Sequence, residues 1–319
     1  MKKFITKKLI ICSLVLLLGS TAKVLAQYDP MFTQYMFNEM FINPAYAGSK
    51  EALAINALHR QQWVGFEGRP VTTTLSMHGP LANNKMGIGL SFLNENIASG
   101  KLKRNLAYIT YAYRIKTGEK GHLSFGLMGG AHIQSNNYAS LQTTDINDVR
   151  FSANTGNVMT PNFGAGIYYS TQKFYAGLSL PRMVADNLGI TSTGDVKKNT
   201  SIDPSKFHYY FTIGRVFNAG DDVKLKPQVM LKAVKNAPVE MDLNLSALLM
   251  EKIWIGASYR TKADLSFLAG IQVNPQFLVS YSYDYSLNDL SSYNSGSHEI
   301  GLGYVFGFKG KKVISNRYF

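Results

Sequence analysis

The chain has 319 residues, enough for one large domain or two smaller ones. Hydrophobic residues make up 45% of it and charged residues only 17%, below the roughly 25% of an average globular chain and far from the charge excess of a disordered one. The formal net charge is +13, but the basic residues fall mainly in turns, loops and the tail, which excludes the clustered footprint of a nucleic-acid binder; no apolar run reaches the roughly 18 residues of a membrane-spanning helix.

Residues 1–26 read as a secretory signal peptide. Lys2, Lys3, Lys7 and Lys8 form a basic head, residues 9–19 (LIICSLVLLLG) a short apolar stretch, and Val24, Leu25 and Ala26 a small-residue cleavage site before Gln27. Cys12, the single cysteine, sits inside the apolar run rather than at its end, which argues against a lipoprotein signal. It leaves with the signal, so the mature chain carries no thiol and no disulfide. Losing the five signal lysines (the fifth is Lys23) leaves 28 basic against 20 acidic residues, a modest +8.

Residues 28–49 (YDPMFTQYMFNEMFINPAYAGS) are apolar and aromatic and lack a long periodicity. They are expected to pack into the periplasmic mouth of the strand-built region at 52–308, or to lie on its wall as a short amphipathic helix. From about residue 52 the chain reads as strand, turn, strand almost to its end. Met86, Ile88, Leu90 and Phe92 alternate with Gly87, Gly89 and Ser91. In residues 277–286, Phe277, Val279, Tyr281, Tyr283 and Tyr285 alternate with smaller and mostly polar residues. Successive strand side chains point to opposite faces, so each strand has one bulky and one small face. Fourteen strands are expected, at about 52–59, 71–79, 86–93, 105–116, 122–133, 162–170, 173–180, 206–217, 223–234, 239–247, 253–261, 264–273, 277–286 and 299–308. Pro227 falls inside one of them and predicts a bulge or a strand start there, or else a misplaced strand.

Two features choose the outside solvent. The second face carries mostly Gly, Ser, Asn, Gln and Thr, not the Lys and Glu of a water-exposed surface. The connections alternate short and long, with the longest at about 134–161, 181–205 and 287–297. Both fit an antiparallel outer-membrane barrel with short periplasmic turns, longer external loops and bulky residues facing lipid. Closure removes the unpaired strand edges that lipid cannot tolerate. Lys224, Lys226, Lys232, Glu240, Asp242, Arg260, Asp264, Asp284 and Glu299 then face the lumen; Arg215 faces outward and is expected to reach the headgroups.

The sequence offers no catalytic, cofactor or metal set. The six histidines are scattered over different strands without metal-ligand spacing. A lipase site assembled from a luminal His and its polar neighbours is the weaker reading. The loop stretch DINDVR (145–150) lacks the glycine and terminal glutamate of an EF-hand. The strand glycines precede no helix and read as relief of luminal crowding. The chain is therefore read as a non-enzyme without cofactor.

DPMFTQYMFN, INPAYAGS, HRQQWVGFEGRP and the closing SHEIGLGYVF resemble the PorP/SprF family of type IX secretion outer-membrane proteins over nearly the whole mature chain. The resemblance implies a FadL-like barrel of 14 strands, and a role in export and surface anchoring of proteins with a C-terminal sorting domain, including gliding adhesins, or in linking periplasmic secretion components to the outer membrane. The motif positions, candidate partner contacts, are Asp29, Pro30, Gln34, Tyr35, Asn43, Pro44, Ala45, Tyr46, Gly48, Arg60, Gln62 and Trp63. The implied layout is a signal at 1–26, an N-terminal segment at 27–51, a barrel at 52–308 and a periplasmic tail at 309–319. The tail GKKVISNRYF departs from barrels that end on an aromatic in the last strand. The alternative is a FadL-like channel for hydrophobic solutes.

Overall fold

The computed structural model describes residues 30–81, 84–141, 143, 148–191 and 195–307. The expected signal peptide and its cleavage site, Asp29, and the C-terminal tail lie outside the described residues, as do residues 145–147 of DINDVR. Among the described residues no helix is long and apolar enough to cross a membrane.

The wall is built from β1 (Ala54–Gln61), β2 (Val71–Leu81), β3 (Met86–Ile97), β4 (Leu102–Thr117), β5 (Gly121–Asn136), β6 (Asn157–Ser170) and β7 (Phe174–Leu180). It continues after a side hairpin, β8 (Val184–Ile190) and β9 (Val196–Ile202), with β10 (Tyr209–Arg215) and β11 (Phe217–Asn218). Then come β12 (Val223–Ala233), β13 (Glu240–Leu249), β14 (Ile253–Arg260), β15 (Asp264–Asn274), β16 (Phe277–Ser286) and β17 (Ser297–Val305). All neighbours pair antiparallel, and β1 pairs with β17, so the sheet closes on itself. Because β10 and β11 are one strand interrupted at Val216, the 15 sheet segments form 14 staves. Each expected strand is present.

The interruption explains Pro227. Gly214 pairs with Gln228 and Phe217 with Leu225, so the register is unbroken across the gap. The missing pairs lie opposite Pro227 and Lys226, where proline has no N–H to give. Pro227 is thus mid-strand, neither in a bulge nor at a strand start. The hairpin β8–β9 is a second departure: the connection expected over 181–205 carries its own two-stranded sheet. Connections on one end stay short, for example 118–120, 171–173 and 275–276; on the other end lie 62–70, 137–156, 181–208 and 287–296. The expected connection at 94–104 shrinks to a tight turn at 98–101, because β3 and β4 continue as a ladder to Ile97 and Leu102.

Burial obeys the expected parity. In β2, Thr72, Thr74, Ser76 and His78 are buried; in β16, Ser280, Ser282 and Asp284 are. Facing out are Ile109 and Leu127, 63% and 65% exposed, with Leu178, Leu245 and Phe267. This is a soluble fold turned inside out, as hydrocarbon demands. Several outer-face aromatics lie toward the strand ends, Tyr111, Tyr113, Phe125 and Phe174 near the short turns and Tyr209, Tyr259 and Tyr285 near the long loops, while Phe92, Phe163 and Tyr281 lie between them; the end positions suit ring edges at two membrane interfaces. Arg215 faces out and lies 5.1 Å from the Phe217 ring centre, beside the short-turn end.

Candidate functional site: the plugged lumen

The lumen is occupied by the chain's own N-terminal segment. Three successive 3-10 turns, Tyr35–Phe37, Glu39–Phe41 and Pro44–Tyr46, form a compact plug. Tyr35, Met36, Met40, Ala45 and Tyr46 belong to the buried apolar core of the molecule, packed against the luminal residues Tyr168, Tyr175 and Trp254. No amphipathic helix forms: the segment's apolar residues lack a 3.6 period, and Pro44 restarts the backbone at a new turn. The segment also runs the length of the lumen rather than stopping at one mouth. Thr33 and Gln34 touch luminal residues at the long-loop ends of β16 and β17, while Gly48 touches those at the short-turn ends of β2 and β3.

Each turn is pinned by a polar side chain. The backbone N–H groups of Thr33 and Gln34 donate to the Glu299 carboxylate at 3.1 and 2.8 Å, and the Gln34 amide donates to the Glu299 carbonyl at 2.9 Å. The Asn38 amide accepts from Ser76 Oγ at 2.6 Å. Asn43 caps the third turn by accepting from Ala45 N–H at 3.0 Å, and donates to the Ile167 carbonyl at 3.0 Å. Gly48 N–H donates to His78 Nδ1 at 3.1 Å, and Arg114 donates to the Gly48 carbonyl at 2.9 Å. Buried backbone groups without partners are costly, and an irregular segment inside a barrel has only the wall to bond to.

The wall accommodates the plug through its glycines. A Cβ built on Gly126 would overlap the backbone of Ala45 and Pro44, one on Gly87 the backbone of Ala47, and one on Gly166 the side chain of Asn43. These glycines on β3, β5 and β6 are a cradle shaped to one segment, more specific than general relief of crowding. Gly48, at φ +76°, lies where a Cβ would strike Gly87 Cα, so both the conformation and the contact require glycine there.

At the long-loop end the plug meets a charge network. Arg60 Nη1 lies 2.6 Å from Asp284 and 3.0 Å from Glu299, all three buried. Arg260 pairs with Asp242 at 2.8 Å, reaches Asp264 at 3.5 Å and donates to the Phe32 carbonyl at 3.3 Å. Thr33 Oγ1 donates to Asp284 at 2.7 Å. The two arginines therefore tie β1, β13, β14, β15, β16 and β17 to the plug's first turn.

The motif positions are thus distributed over one structure. Gln34, Tyr35, Asn43, Pro44, Ala45, Tyr46 and Arg60 are buried, and in this arrangement they touch the barrel and the plug, not solvent. Arg60 and Gln34 meet at Glu299, a residue of the SHEIGLGYVF stretch that strand parity marks as luminal but that is absent from the motif positions. Its signal is present in the sequence: a carboxylate on the luminal face, with no cation nearby along the chain. Pro30 stands at the start of the described chain beside the upper lumen. Gln62 and Trp63 sit at the long-loop mouth. Trp63, at φ +52°, donates its N–H to Ser297 Oγ at 3.1 Å, and Val64 exchanges two backbone bonds of 2.7 Å with Gly296 and Ser295. A bulky residue at positive φ is strained, so the first and last long loops are held as one unit. Among the described residues no group of His, Cys, Asp or Glu could hold a metal ion.

The family-like stretches thus converge on one plug junction, and the family described as "Type IX secretion system membrane protein PorP/SprF" matches residues 24–304. The chain belongs to this family. No curated protein matches it. Solved structures it resembles include Omp33 of Acinetobacter baumannii, at 9% identity and TM-score 0.48, covering 81% of this chain and 98% of that one. A Pseudomonas aeruginosa FadL homologue aligns at 12% identity and TM-score 0.42, covering 90% and 96%. The P. putida toluene transporter TodX aligns at 9% identity and TM-score 0.44, covering 88% and 95%. By its family and its own closed wall, this PorP/SprF chain is an outer-membrane β-barrel of type IX secretion.

Proposed function

We propose that this barrel is a non-enzymatic docking component of the type IX system, serving export and surface anchoring of proteins that carry a C-terminal sorting domain. The long-loop mouth faces outward and receives that domain. The short turns face the periplasm and meet the secretion machinery. The observation that carries the reading is the plug: the family's own motif residues are spent on closing the lumen, which leaves the two mouths as the working surfaces. The strained Trp63 loop, bonded to residues 295–297, is a rigid external platform suited to a protein partner. Deleting the gene should abolish surface display of a cognate sorting-domain protein, read by whole-cell labelling; unchanged display would refute the role. A solute channel, as in the toluene transporter, would require the plug to leave its cradle.

A further inference from the structure

The outward face of the wall is not uniform at the long-loop end. On β7, β10, β12, β13, β14 and β15 the last two outward residues are apolar or aromatic, as in Met241 with Leu243 and Leu265 with Phe267. On three other strands they are amide, imidazole or ammonium: His59 and Gln61 on β1, Asn94 and Asn96 on β3, Asn105 and Lys103 on β4. Thr73 of β2 joins them, since the register sets His59 beside Thr73, Thr73 beside Asn94 and Asn94 beside Asn105. These side chains are bonded to one another on the outer surface: His59 Nδ1 to Thr73 Oγ1 at 2.9 Å, Asn94 to Asn105 at 2.7 Å and Asn96 to Asn94 at 2.8 Å. Arg69 closes one end by donating to the Gln61 amide oxygen at 3.3 Å, and the exposed Lys103 closes the other beside Asn96. The result is a polar belt from β1 to β4, about 14 Å wide at ordinary strand spacing, with a cation at each end.

Its height places it among lipid headgroups. A hydrocarbon band about 25 Å tall, crossed by strands that rise about 3.3 Å per residue and tilt about 40°, takes about ten residues of each strand. Counted from Ile115 on β4 the band ends at Leu106, and counted from Leu81 on β2 it ends at Thr72. The belt therefore stands at the upper boundary, and beneath it Leu75, Phe92 and Ile109 are exposed toward the acyl chains. The order of groups selects the ligand. Amides, imidazole and hydroxyl offer donors and acceptors together, as sugar hydroxyls require, and each amide has capacity beyond its bonds within the belt. The cations at the two ends suit phosphates. A phosphatidylglycerol headgroup brings one phosphate and no ring to fill the middle. A protein partner would seek aromatic or methionine anchors, which the belt residues do not supply. We infer that the belt binds a phosphorylated glycolipid of the outer leaflet. Its sugar rings lie over His59, Thr73, Asn94 and Asn105, its phosphates at Arg69 and Lys103, and its acyl chains over Leu75, Phe92 and Ile109. The inference uses the barrel's orientation, long loops outward, but not the docking role, and its test reads lipid rather than display.

The test is native mass spectrometry of the mature barrel in detergent, titrated with an acylated glucosamine disaccharide that carries two phosphates. Saturable binding of one molecule per barrel is expected, displaced neither by phosphatidylglycerol nor by free glucosamine 1-phosphate. Arg69→Gln with Lys103→Gln should raise the half-saturating concentration about tenfold, equivalent to about 1.4 kcal/mol. Lys103→Gln alone, at an exposed position, should raise it about threefold, the scale of a single surface charge. Lys235→Gln with Lys262→Gln changes basic residues at the same end on the far side of the barrel; it should leave binding unmoved. All variants should keep the folded gel band. Unchanged binding in Lys103→Gln, equal competition by phosphatidylglycerol, equal binding of the disaccharide stripped of its phosphates, or an equal loss in the far-side variant would overturn the proposal. So would a barrel dimer broken by Asn105→Leu but not by the glycolipid, since that would assign the belt to protein.

Discussion

Arg60 shows how much one residue can carry in a plugged lumen. Its guanidinium is buried between Asp284 and Glu299, and Glu299 in turn receives two backbone N–H groups of the plug. Removing one partner of a buried ion pair leaves the other charge unmatched, at about 3–5 kcal/mol. Arg60→Met should therefore lower the temperature at which the folded gel band converts to the unfolded one. Adding Asp284→Asn should restore part of the loss, because one stranded carboxylate is then gone. The alternative, that Arg60 only contacts partners, predicts no change in that temperature.

Single strands carry two chemistries on adjacent residues, and β5 separates them. Gly126 points inward against Ala45, and Leu127, its neighbour, points into lipid. Gly126→Ala should displace the plug while leaving the wall paired; the expected readout is protease access to residues 30–50 in an otherwise heat-resistant barrel. Gly129→Ala, on the same strand, is the control, since a Cβ there meets only the Phe163 ring, no closer than 3.7 Å. Leu127→Arg places a charge near mid-strand in hydrocarbon and should cost about 2–4 kcal/mol of folding stability in bilayers, measured by denaturant titration. The plug should remain seated in that variant. These opposite outcomes at consecutive positions arise from the period-2 geometry of a strand.

For the whole molecule, the decisive feature is that one irregular segment closes a regular barrel. In planar bilayers the intact protein should show little steady conductance. Deleting residues 30–50 should open a pore, provided the closed 14-stave wall survives on its own hydrogen bonds. A conducting intact protein would show that the plug does not seal the lumen.

The strands, their inward and outward faces, and the parity of the connections were legible in the amino-acid order, because strand side chains alternate locally and lipid punishes a wrong face. Signals of that kind need only neighbouring residues. Gln34, Asn43, Gly48 and Arg60 were visible as motif residues, but their common task was not. It depends on Glu299, 265 residues from Gln34, and on glycines of three strands that only barrel closure brings around one segment. The same holds for the β8–β9 hairpin, whose polar strand carries no strong alternation, and for Pro227, whose tolerance depends on what β10 does beside it. Local periodicity fixes elements; which side chains share a cavity is a property of closure, and only the folded barrel decides it.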